Sequence, residues 1–188
     1  NKSGYFSGAL ASSVFVGRLI SSYYWGLFSD LAGRKPVLSI ACFFIAFMSI
    51  VFGFSRNIWA ALISRFILGF MNPIVGISKT LVSEICVKKF ESQAMGLTTG
   101  SWSLGLIAGP IIGGYLARPV ILYPITFENN NFLQHFPYLL PNLVVAILAI
   151  VSFILVIFKF PETLPKSKQR KQINEANSLF SLLQIPDV

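Results

Sequence analysis

The chain has 188 residues, of which 54% are hydrophobic and only 12% charged. A soluble domain carries about twice that share of charge, so this composition, with a mean hydropathy of +0.69, excludes a water-soluble globule and selects lipid as the solvent. The net charge of +8 does not mark a nucleic-acid binder, because the basic residues lie between long apolar runs and form no single stripe.

Five apolar stretches are long enough to cross a bilayer, which takes about 20 residues. The first, Tyr5 to Phe28, is rich in Gly and Ser and contains Arg18. A short charged connection, Ser29 to Pro36, leads to the second and cleanest, Val37 to Phe54. A tight turn at Ser55 to Asn57 precedes the third, Ile58 to Ser78, which contains Arg65. The connection from Lys79 to Gln93 carries Lys88, Lys89, Glu84 and Glu91. The fourth span, Ala94 to Leu116, is Gly-rich. The connection from Arg118 to Pro137 is longer and almost uncharged. The fifth span, Tyr138 to Phe158, lies between Pro137 and Pro161. Beyond it the chain is polar and basic, with a short amphipathic helix expected near Ile173 to Leu183. The organisation is therefore a membrane unit over residues 1–158 and a basic segment over 159–188.

Charge bias sets the orientation. The connections after the first and third spans and the final segment hold nine Lys and Arg residues besides Lys79 at the boundary, whereas the opposite side holds Lys2, Arg56 and Arg118. The basic side is expected in the cytosol. Five spans then put Asn1 outside, which implies a preceding helix, since no cleavable signal pattern is present.

The most informative run is Gly26-Leu-Phe-Ser29-Asp30-Leu-Ala-Gly33-Arg34-Lys35-Pro36, at a cytosolic turn. Gly33 permits a tight reversal because it tolerates φ > 0. Asp30 can cap a neighbouring helix or pair with a base, and Arg34 can hold a carboxylate with two parallel bonds. A charged turn that only anchors topology has the same composition. Arg65 is a charge inside a span, which faces a cavity or a partner unless it snorkels to the surface. Arg18 carries the same ambiguity. Gly96, Gly100, Gly105, Gly109 and Gly113 recur every four or five residues and predict a flat helix face for close packing. Pro110 in the same helix removes a backbone hydrogen bond and allows a bend.

Other chemistry is weakly represented. Cys42 and Cys86 fall in or beside apolar runs and read as packing residues. The lone His135 lies in the outer connection. No cluster has metal-ligand spacing, and no nucleotide loop, catalytic triad or metalloprotease motif occurs, so no metal, no cofactor and no enzyme activity is expected.

The Gly26–Pro36 run resembles the signature loop of the major facilitator superfamily, G-x-x-S/A-D-R/K-x-G-R-R/K, departing at Leu31, where the family usually has a basic residue. Arg65-Phe66-x-x-Gly69 resembles the family's fourth-helix motif. Gly105-Leu-Ile-Ala-Gly109-Pro110-Ile-Ile-Gly113-Gly114 is similar to its fifth-helix antiporter motif, and Pro161-Glu162-Thr163 to the exit from its sixth helix. The resemblance implies an all-α polytopic membrane protein, a partial six-helix half-bundle in which the five spans are helices two to six. A first helix and a carboxy-terminal half would complete it, and the chain alone would not transport. Trp25-Gly26, Leu116-Ala117-Arg118-Pro119, Tyr123-Pro124 and Phe136-Pro137-Tyr138-Leu139-Leu140-Pro141 further resemble the zinc-induced-facilitator-like branch, which is similar to drug:proton antiporters.

The implied function is secondary transport of a small molecule or ion, with protons as the coupling ion, in a plasma or vacuolar/lysosomal-type membrane. The implied sites are a cytosolic gate at Gly26, Asp30, Gly33, Arg34, Lys35 and Glu84, coupling at Arg65, and the antiporter motif at Gly105, Gly109, Pro110, Gly113 and Gly114. A membrane receptor or scaffold that keeps the fold without transporting is the competing expectation.

Overall fold

The computed structural model describes residues 2–117 and 135–162, and the regular structure among them is entirely helical. The helices are α1 (Lys2–Ala32), α2 (Arg34–Gly53), α3 (Ile58–Phe70), α4 (Ile74–Ile85), α5 (Lys88–Leu116) and α6 (Leu139–Lys159). Three stretches, Arg34–Gly53, Ile58–Ile85 and Leu139–Lys159, are long and apolar enough to cross a membrane by length and composition alone. α1 and α5 are longer still, at 31 and 29 residues, but Gly, Ser and charged side chains dilute their apolar character.

The expected connections are shorter than the sequence suggested. Only Gly33 interrupts helix between α1 and α2. Its φ of 101° lies where a Cβ is not tolerated, so one glycine makes the whole reversal and Ser29–Ala32 and Arg34–Pro36 stay helical. The connection expected from Lys79 to Gln93 is also mostly helix, since α4 runs to Ile85 and α5 starts at Lys88.

The third span is not continuous. α3 stops at Phe70, and Met71, Asn72 and Pro73 separate it from α4. Pro73 has no N–H to donate and disfavours helical geometry at Asn72. Two side chains repair the exposed backbone: Asn72 Oδ1 accepts from the Ile74 N–H at 3.3 Å, and the Trp25 indole N–H donates to the Phe70 carbonyl at 2.7 Å. The amphipathic helix expected near 173–183 lies outside the described residues.

Packing is uneven. α2 and α6 lie against each other through small residues, with Ala41, Ala46, Ser49 and Gly53 buried on α2 and Ala146 and Ala149 on α6. α1 and α3 come closest at Gly17 and Gly69, where a Cβ would collide with the Phe66 carbonyl and with the Val14 backbone respectively. Val37, Leu38, Ile77 and Leu81 form an apolar cluster at the basic end of the bundle, with Trp25, Val156 and Phe160 packed against it. α5, by contrast, contains no buried residue.

Candidate functional site

The α1–α2 reversal brings Arg34 back against Asp30, and α4 delivers Glu84 to the same point. Arg34 Nη1 donates to Asp30 Oδ1 at 2.6 Å and to Ser29 Oγ at 2.8 Å. Its other edge forks onto Glu84, with Nη2 to Oε1 at 2.8 Å and Nε to Oε2 at 3.4 Å. A planar guanidinium matches two carboxylates in this way where an ammonium would not. The Arg34 side chain is only 7% exposed, but those of Asp30 and Glu84 are 42% and 28% exposed. The cation is enclosed while its anions still reach solvent. Such a network holds firmly yet separates without the full cost of stranding buried charges.

A third acidic residue completes this end. Glu162, just past α6, accepts from the backbone N–H groups of Arg34 at 2.9 Å and Lys35 at 3.2 Å. A carboxylate at a helix amino terminus satisfies donors that have no partner within the helix and complements the helix dipole. Gly33 makes room for it, because a Cβ there would lie 2.7 Å from Glu162 Oε2. Sequence reasoning noted Pro161-Glu162-Thr163 but did not connect it with the Gly33–Lys35 turn, since 128 residues separate Glu162 from Arg34.

Two cavities flank the helices. One, of about 430 Å³, runs between α1 and α4 from Arg18 to the Asp30–Arg34 pair, and Gly26 lines it. The other, of about 1010 Å³, is bounded by α3, α5 and α6 and lined by Arg65, Gly105, Gly109, Gly113 and Gly114. Arg65 sits over the Phe52 ring, its guanidinium carbon 3.8 Å from the ring centroid, and Asn142 on α6 lines the same space. A single Asn in an otherwise apolar helix was a legible signal for that wall. It was passed over.

The glycine face of α5 differs from its expectation. Among the described residues nothing lies within 4 Å of a Cβ added at Gly96, Gly100, Gly105, Gly109, Gly113 or Gly114. Small-residue spacing creates a flat face, but close packing also needs a second backbone, and no described helix supplies one. Four of these glycines border open cavity instead. The close glycine crossing is at Gly17 and Gly69, which the spacing rule did not single out.

Comparison with known proteins identifies the family. The Major Facilitator Superfamily profile matches residues 2–185. Protein ZINC INDUCED FACILITATOR-LIKE 1 of Arabidopsis thaliana is 35% identical over 98% of the chain and 37% of its own length. Protein ZINC INDUCED FACILITATOR 1 of the same plant is 36% identical over 88% and 34%. The major facilitator superfamily multidrug transporter mfsB of Aspergillus fumigatus is 35% identical over 91% and 29%. No solved structure matches. The chain spans about a third of the length of these relatives. An all-helical bundle, an arginine-centred turn between its first two helices and a profile match over nearly every residue have one reading: the chain belongs to the Major Facilitator Superfamily.

Proposed function

We propose that the chain supplies helices two to six of a secondary transporter that exchanges a small solute for protons, and that the Asp30–Arg34–Glu84 network is its cytosolic gate. The observation that carries this reading is the position of Arg34. One enclosed guanidinium ties the α1–α2 turn to the end of α4 through two carboxylates that remain open to water. With the bonds made, the cytosolic ends of α1, α2 and α4 stay together, which suits an outward-facing state. Breaking them lets α4 swing at the Asn72–Pro73 interruption and opens the α1–α4 cavity to the cytosol. A two-state element of this kind needs states of similar free energy.

The coupling role belongs to Arg65, which faces the larger cavity opposite the α5 glycines. Residues 1–158 form the membrane unit and 159–188 a basic cytosolic segment. A first helix and a second half-bundle complete the pathway. The multidrug and zinc-facilitator names of the relatives support a solute carrier, and a plasma or vacuolar/lysosomal-type membrane is the proposed location. The test is solute flux in proteoliposomes containing the full-length protein. An imposed proton gradient should drive exchange that collapses with an uncoupler. A protein that binds solute but moves none under any gradient is a receptor or scaffold.

A further inference from the structure

Arg18 lies near the middle of α1, 12 residues from Asp30 and so about 18 Å along the helix axis from it. Its Nε is buried and has no hydrogen-bond partner among the described residues. Its guanidinium carbon stands 5.6 Å from the centroid of the Trp102 ring, a contact that offsets part of the charge but satisfies no N–H. The described carboxylates are committed elsewhere. Asp30 and Glu84 hold Arg34, Glu162 holds the start of α2, and Glu91 lies in the first turn of α5. A guanidinium inside a membrane span is costly to leave unsatisfied.

The surroundings are polar and hollow. Arg18 forms one end of the 430 Å³ cavity, whose other end is the gate. Ser22, Trp25 and Ser29 follow Arg18 along one stripe of α1, and Asn72, Gly76 and Thr80 face the cavity from the α4 side. This volume is within the range of small-molecule sites. Hydroxyl and amide groups along the walls can hydrogen-bond a polar solute, while the only unpaired charge in the cavity's described lining is positive.

We propose that Arg18 is a binding residue for a carboxylate of the transported solute, which makes the substrate class an organic anion. The inference rests on the transport reading only in calling the ligand a transported one. The guanidinium fork and a carboxylate are complementary in shape and charge. The gate lies at the cytosolic mouth of the same cavity, so opening Arg34 exposes the site that Arg18 anchors.

The experiment uses the purified full-length protein in nanodiscs. Thermal unfolding is followed with increasing acetate, succinate or citrate, and with the uncharged methyl esters of all three acids. At least one of the acids should raise the unfolding midpoint of the wild-type protein, and its ester should not. Arg18→Gln should weaken the apparent affinity for that acid roughly tenfold or more, and Arg18→Lys by less. Two outcomes overturn the proposal. One is that no acid distinguishes wild type from folded Arg18→Gln. The other is that Arg18→Gln lowers the midpoint without ligand and leaves every acid response unchanged, which assigns the partner carboxylate to the protein itself. If Arg18→Gln does not fold, Arg18→Lys decides, and an unaltered affinity for all three acids overturns the proposal. Anion binding through Arg18 without proton-driven flux would defeat the transport reading and leave the anion site standing.

Discussion

Arg34 and Arg18 are both arginines in or beside membrane helices, yet their settings are opposite. Arg34 touches Asp30, Glu84 and Ser29, and its own N–H meets Glu162. Arg18 has an aromatic face and an open cavity. The same contrast holds for the helices around them. At the basic end α1, α2, α4 and α6 converge on a packed apolar cluster, whereas α5 buries nothing. The difference separates two uses of charge in lipid. A cation whose partners come from the fold holds the fold, and a cation left without them is placed to meet something that arrives.

The largest effect should come from removing the filled partner set. Arg34→Ala leaves Asp30, Glu84 and Ser29 without their common donor. Because both carboxylates reach water, the stability cost should be about 1–3 kcal/mol, below that of a fully buried pair. Turnover should fall about tenfold or more while most protein still reaches the membrane, as measured by flux per surface-labelled molecule. Loss of expression in proportion to loss of flux would instead make Arg34 a structural anchor.

Glycine substitutions sharpen the comparison at the level of packing. Gly69→Ala pushes a methyl group into the Val14 backbone and should destabilise the chain by about 1–3 kcal/mol in a thermal unfolding assay in micelles. Gly109→Ala meets open space. It should be neutral or stabilising by up to about 1 kcal/mol, because Ala is the better helix former. Equal destabilisation by both would show that a backbone does lie against α5.

At the α2 start, Gly33→Ala should cost about 1–3 kcal/mol from its backbone conformation alone, in addition to its clash with Glu162. Glu162→Gln keeps the shape and loses the charge, so its cost should be about 0.3–1 kcal/mol and should shrink with salt. The most local change is Trp25→Phe. It removes the indole donor to Phe70 O and should cost about 1 kcal/mol. Faster hydrogen exchange confined to the α3–α4 junction would confirm that the lost bond pins that break.

Much of this arrangement was legible in the sequence. Hydrophobic runs located the helices, because a span needs a long apolar stretch whatever its neighbours are. Asp30 and Arg34 were legible as an acid and a base that one turn could pair, and the charge bias put the connection carrying Glu84 on the same side. The Met71–Pro73 break was also written there, in Pro73, but the apolar run around it hid the signal. Glu162 was not legible as a partner of the α2 start, since its meeting with Arg34 and Lys35 depends on how α6 leans on α2. The α5 glycines show the converse limit. Spacing defines a face, and only the neighbouring chain decides whether that face becomes an interface or a cavity wall.

The central claim is that the Arg34–Glu84 contact is a gate that opens and closes during transport. A double-mutant cycle on transport rate tests it most directly, using Arg34→Glu, Glu84→Arg and the double reversal in the full-length protein. Each single reversal should slow flux strongly. The double reversal should recover part of the loss, though not all, because Asp30 would then face a like charge at position 34. A coupling energy of about 1 kcal/mol or more, within the range for residues in direct contact, is the predicted result. Strictly additive effects would contradict the account and leave Arg34 as an anchor of topology.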